Sequence, residues 1–147
     1  MDRRREIGFE IKTLSHLIKR RVDSYAAECH IEKLTGMQGW IIGYLYDHTE
    51  EQKLDVFQRD IEAEFSIRRS TATGILQLME KKGLIRREPV ASDARLKKLT
   101  LTPRAVEHHQ AITRMIQTTE ARLANGLTDE EVEAFFAIAE KIKKNVE

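Results

Sequence analysis

Residues 56–101 read VFQRDIEAEFSIRRSTATGILQLMEKKGLIRREPVASDARLKKLTL. The apolar spacing predicts a short helix over Val56–Glu64. A second helix begins near Arg68 or Arg69 and stops at Gly83. Its end is sharply written: Lys81 and Lys82 oppose the negative helix terminus, Gly83 supplies a left-handed residue, and Leu84 is the apolar residue that follows. Leu99 and Leu101 then recur at the strand period of two. Strands Leu84–Glu88 and Leu96–Leu101 therefore form a hairpin joined across Pro89–Arg95, with the small, polar Val90–Ala94 at its tip. Helix, tight turn, helix, hairpin is the order of a helix-turn-helix followed by a β-wing.

The flanks read as helices. Over residues 5–29, Ile7, Ile11, Leu14, Ile18, Val22, Tyr25 and Cys29 recur at spacings of three and four and make one apolar stripe. Phe9 and Leu17 lie off it, which suits a helix that meets both its own core and a partner chain. Thr35 and Gln38 stand at capping-box spacing and open a helix expected to end near His48. Asp55 and Gln58 have the same spacing at the start of the next helix. Thr102-Pro103 opens a helix that runs to Asn125-Gly126, with Thr as cap and Pro where its missing amide costs nothing. Thr128 and Glu131 form another capping box, and Val132, Phe135, Phe136, Ala139, Ile142 and Val146 give the last helix its apolar face. The fold class is mainly α with a small β-hairpin wing.

Composition narrows the function. The chain has 147 residues, enough for one domain with a moderate core, and 33% are charged. No apolar run is long enough for a bilayer, and the start, MDRRREIGFEIK, lacks the apolar region of a secretory signal. One cysteine, Cys29, excludes a disulfide framework within the chain. These features favour the cytoplasm and no membrane. The net charge of +1 hides an asymmetry: residues 66–104 hold ten Lys and Arg against three acids, a local +7, which leaves −6 elsewhere. A basic block on an acidic chain is the footprint of a nucleic-acid binder; a solvated charged face has the same composition.

The residue types suit a base-reading helix. Arg69, Ser70, Thr71, Thr73 and Gln77 share the polar side of the second helix. Arg can bond guanine bidentately, Gln adenine, and Ser or Thr either base or phosphate. Gly74 costs that helix roughly 1 kcal/mol relative to Ala, offset either by close approach to DNA or by packing against the preceding helix. In the wing, Arg95 is expected at the tip, where an arginine can enter a narrow minor groove. Asp93 would orient its guanidinium or brace the loop. Arg86, Arg87, Lys97 and Lys98 would lie beside phosphates. There is no phosphate loop, HExxH or nucleophile elbow, so the chain is not read as an enzyme, and no cofactor is expected.

FSIRRSTATGILQLMEKKGLI followed by SDARLKKLTLT resembles the winged helix of multiple-antibiotic-resistance-regulator (MarR) type repressors. Matching residues are Ile67, Ser70-Thr71, Met79-Glu80-Lys81-Lys82-Gly83-Leu84-Ile85, Asp93-Ala94-Arg95 and Leu99-Thr100, with Leu127–Glu131 opening the last helix. Arg68 stands where the family often has a capping Ser or Asp, and Gly74 where a longer side chain is common. The resemblance implies a single domain over 1–147. A DNA-binding lobe would span about 35–102, flanked by dimerisation helices at about 5–29 and 103–146. It implies a homodimeric repressor of double-stranded DNA, with Arg68, Arg69, Ser70, Thr71, Thr73, Gln77, Arg86, Arg87, Asp93, Arg95, Lys97 and Lys98 as DNA contacts on a pseudo-palindromic operator. It also implies release by a small phenolic or aromatic-acid effector, for which His16, Arg20, Trp40, Tyr44 and His109 are candidates. Trp40 and Tyr44 are equally read as core residues.

Other readings share the composition. A helical homodimer could bind a protein through its basic wing. Cys29 could sense oxidants, though its place on the apolar stripe reads as a buried, inert thiol. His30, His48, His108, His109 and Cys29 could ligate zinc, but no two histidines have the i, i+4 spacing of a helical metal site, so no metal is expected.

Overall fold

The computed structural model describes residues 5–147. Its elements run α1 (Ile7–Glu28), α2 (Gly36–Leu45), a π-helical turn (Tyr46–Glu51), α3 (Gln58–Glu64), α4 (Arg69–Lys81), β1 (Ile85–Val90), β2 (Asp93–Leu101), α5 (Pro103–Leu123) and α6 (Asp129–Val146). The described chain divides into two compact units, residues 26–113 and residues 5–25 with 114–147. Among the described residues, no helix is long and apolar enough to cross a membrane.

The 26–113 unit holds a core of Ile41, Ile42 and Leu45 from α2, Val56 and Ile61, Leu76 and Met79 from α4, Leu84, Ile85, Leu99 and Leu101 from the hairpin, and Ala105 from α5. Most are fully excluded from solvent, which gives each large aliphatic about 1.5–3 kcal/mol of burial. Thr35 opens α2 as expected: its hydroxyl accepts the Gln38 amide and Gln38 accepts the Thr35 amide. The helical path then continues beyond His48 to Glu51 through π-type turns, where Thr49 donates back to the Leu45 carbonyl.

The third helix starts later than its spacing suggests. The Val56 carbonyl accepts the Leu99 amide at 2.7 Å, which ties this segment to β2 and keeps it out of the helix. Asp60, not Gln58, takes the amide at the helix start, at 2.8 Å from Phe57 N. Asp55 does not cap; its carboxylate lies 3.6 Å from Lys98. The turn from α3 to α4 is closed by Ile67 N to Glu62 O and Ser66 N to Ala63 O. Ser66 holds φ +50 there, a position where glycine is commoner.

The end of α4 follows its sequence closely. Gly83 has φ +72, its amide bonds Glu80 O, and the Leu84 amide bonds Met79 O. That is the Schellman pair. Thr102 ties the next junction: it donates to Gly83 O at 2.6 Å and accepts the Ala105 amide, capping α5. Arg104 reaches from α5 to the Lys82 carbonyl and to Glu32, and His108 Nε2 lies 2.9 Å from Glu32 O.

The hairpin is longer and its tip tighter than expected. Val90 pairs with Asp93 and Pro89 with Lys97, with a bulge between Pro89 and Val90. The turn is therefore Ala91-Ser92, and Arg95 lies in the bulged part of β2 beside the tip rather than at it. Proline has no amide for the ladder, which makes a bulge at this place inexpensive.

The other unit contains most of α1, the far half of α5, and α6. The Thr128–Glu131 capping box forms on both sides. An apolar cavity of about 310 Å³ lies among Leu14 and Ile18 of α1, Leu123 and Ala124, and Val132, Phe135 and Phe136 of α6. No residue of α1 or α6 is buried in the single chain. Cys29 is exposed, against the expectation of a buried thiol. The stripe it was read on is itself uncovered along α1, and the helix ends before Cys29, with His30 left-handed at φ +53 and Ile31 N bonded to Ala26 O.

Candidate nucleic-acid interface

At 3.6 residues per turn, Ala72, Leu76 and Met79 mark the buried side of α4. Ser70, Gly74, Gln77 and Lys81 fall opposite, all exposed. Thr71 flanks them, also exposed, and Arg69 is exposed at the helix start on the side of Leu76. Thr73 turns toward α3: it is half-buried and its hydroxyl accepts from Gln58 Nε2 at 2.9 Å. Gln58 thus braces the two helices, leaving the rest of the polar face open. Arg68 precedes α4 with no side-chain cap, so the first amides of the helix have no side-chain acceptor there.

A Cβ built on Gly74 would meet no heavy atom within 4 Å. Packing against α3 is therefore not why a glycine stands there. Its helix-propensity cost of about 1 kcal/mol has no return within the chain. Leu78, one turn on, is 46% exposed. Leu78 and Lys81, absent from the expected DNA contacts, both lie on the open face.

In the wing, strand alternation places Arg87, Pro89, Leu99 and Lys97 on one face and Arg86, Glu88, Lys98 and Thr100 on the other. Arg87 lies 3.5 Å from Glu80 of α4, and Lys98 pairs with Asp55. Both are half-buried. Arg68, Arg69, Arg86, Arg95 and Lys97 have no carboxylate partner among the described residues. With the exposed Lys81 and Lys82 at the end of α4, these five cations make an open positive surface on the lobe. Asp93 braces the loop rather than the guanidinium: its Oδ1 accepts the Arg95 amide at 2.9 Å. That bond satisfies a backbone donor in the bulge, where ladder pairing is interrupted.

The effector candidates fall in separate settings. His16 and Arg20 are exposed on α1. Trp40 is 65% exposed, so it is not core. Tyr44 is half-buried, stacked on His48 with centroids 3.9 Å apart and edge-on to Phe65 at 6.0 Å. Burial, then Asp60 and Glu64, raise its hydroxyl above the ordinary value. His109 packs on Tyr46, centroids 4.3 Å apart, and its ring meets Gly43. Tyr44 and His109 thus belong to two different ring contacts.

Burial lowers the His109 pKa below 6.5, with His108 adding to the effect and Asp47 and Glu51 opposing it. The folded chain therefore favours the neutral ring. That contribution is full above pH 6.5 and is lost as pH falls through 6.5 toward the lowered folded value, because the unfolded chain takes up the proton first. The urea midpoint should fall between pH 7.5 and 5.5, and His109→Gln should flatten this fall. An unchanged slope in the variant would refute the assignment.

The sequence profile of the MarR family matches residues 33–96. The chain is similar to S. aureus MepR bound to ethidium bromide, at 27% identity over 97% of each chain and a TM-score of 0.79. It is similar to the S. aureus MepR–DNA complex at 27% identity, covering 95% of this chain and 99% of that one, with a TM-score of 0.77. The haem sensor PefR from Streptococcus agalactiae, in complex with haem, matches at 26% identity over 96% of this chain and 94% of that one, with a TM-score of 0.71. With the helix-turn-helix and the wing already in place, these likenesses assign residues 33–96 to the MarR family and give the chain the winged-helix fold of its DNA-binding regulators.

Proposed function

We propose that the chain is a homodimeric repressor that reads a pseudo-palindromic operator and leaves it when a small aromatic ligand binds. The observation that carries the DNA reading is the open set of Arg68, Arg69, Arg86, Arg95 and Lys97 on the lobe that holds α4 and the wing. Lysines and arginines in such a set displace condensed counterions, so affinity falls linearly in log–log terms with salt. The relative MepR has been solved with DNA, which supports the same use here. The 26–113 unit is the reader in this proposal, with α4 in the major groove and the wing alongside. The unit of residues 5–25 and 114–147 pairs with a second copy, and half-sites lie about one helical turn apart. Support for pairing comes from apolar side chains left open on α1 and α6, among them Ile7 at 66% and Phe135 at 60%.

The effector is a flat aromatic molecule, with a phenolic or aromatic acid as the first class to test. Relatives carry ethidium and haem, so a screen should include a planar cation and a porphyrin beside the acids. Selection of bound duplexes from a random pool, followed by salt titration of the selected site, tests the DNA reading. A flat salt response would overturn it and favour a protein partner for the wing.

The wing lysines should separate in this assay. Lys97→Ala should weaken all duplexes alike and reduce the salt slope by about one. Lys98→Ala should change the slope less, because Lys98 already faces Asp55. Equal slopes for the two variants would contradict the pairing.

A further inference from the structure

We propose that Gly74 and Leu78 form a notch on α4 that reads the methyl group of a thymine in the operator half-site. The inference rests on the DNA-binding reading and adds a specificity determinant to it. Three observations meet here. Gly74 stands at the middle of the exposed side of α4, opposite Ala72, Leu76 and Met79. Nothing in the chain occupies the space where its Cβ would be. Leu78 follows one turn later with nearly half its surface in solvent, next to polar Gln77 and Lys81.

A lone exposed leucine needs no explanation. A leucine one turn from a bare Cα, on the polar face of a base-reading helix, forms an apolar step beside a hollow. Ser70 closes the hollow one turn before, and Thr71 and Gln77 border it. The major groove presents hydrogen-bonding groups on every base pair, but only thymine adds a methyl there. A hollow floored by a bare Cα and walled on one side by a leucyl side chain complements that methyl group. Removing the Cβ at 74 also lets the helix axis lie nearer the groove floor, which brings Ser70 and Gln77 within reach of base edges. Gln77 can then pair bidentately with an adenine beside the thymine.

The test uses the full chain and an operator selected from a random pool. Each thymine of one half-site is replaced in turn by deoxyuridine, which deletes the methyl alone. One position should lose about four-fold in affinity, the worth of one buried methyl group. Leu78→Ala should reduce overall affinity and become insensitive to deoxyuridine at that same position. Gly74→Ala should lose roughly 5- to 150-fold on the operator, keep its binding to random duplex, and melt no lower than the natural chain, since alanine favours the helix. Selected sites lacking a shared thymine, or a deoxyuridine penalty that persists undiminished in Leu78→Ala, would overturn the notch while leaving DNA binding intact. A chain that selects no DNA at all would overturn the notch and the DNA reading together.

Discussion

Phe135→Glu with Phe136→Glu should turn the chain from a dimer into a monomer in sedimentation velocity at micromolar concentration. The two rings meet edge to face at 5.6 Å and are 60% and 57% exposed. Ile138 on the same helix and Ile7, Ile11 and Leu17 on α1 are open as well. In the proposed homodimer a second copy covers this apolar surface. A carboxylate forced into such an interface without a partner costs about 3–5 kcal/mol. Two-site binding of the operator would go with the dimer, so affinity for the full palindrome should fall by about 10²–10⁴. Affinity for a single half-site should change little. Ile138→Glu, a milder insertion at the same face, serves if the double variant unfolds. A dimer that survives either substitution at natural affinity would refute pairing through α6.

Arg95→Ala should weaken operator binding by about 1–3 kcal/mol. Arg95 sits in the β2 bulge, its amide held by Asp93, with no carboxylate partner among the described residues. The brace fixes where the side chain leaves the strand, and the missing partner leaves the guanidinium for DNA. Its loss should be greatest on operators with A·T flanks, where the minor groove is narrow and its potential more negative. Asp93→Ala should show a smaller loss, because the guanidinium remains while its base loosens. Equal affinity of Arg95→Ala for all flanks, at the natural level, would remove the groove contact.

These expectations rest on features of different legibility. Gly83, the Thr35 and Thr128 boxes and the Thr102-Pro103 start could be read directly, because each depends on residues three or four positions apart. The apolar spacing of α4 likewise marked its buried side, and with it the polar face. The family resemblance named the wing cations as a group, and it could not rank them. Ranking came from partners distant in sequence: Glu80 beside Arg87 and Asp55 beside Lys98. Gln58 assigned Thr73 to the α3–α4 contact in the same way. A helical wheel alone would have exposed Leu78; the open space at Gly74 needed coordinates.

The amino-acid order by itself determined the helix-turn-helix, the wing and the concentration of positive charge, because helix caps and apolar periods act over a single turn. Tertiary structure decided where α3 begins, where the hairpin turns and which cations stay open. Asp55 shows why. Its local spacing favours a cap, yet the backbone bond from Leu99 to Val56 ties its neighbour to β2 and turns its carboxylate to Lys98. A contact between distant residues outweighed a capping preference typically worth about 1 kcal/mol, and no local pattern records such a contact.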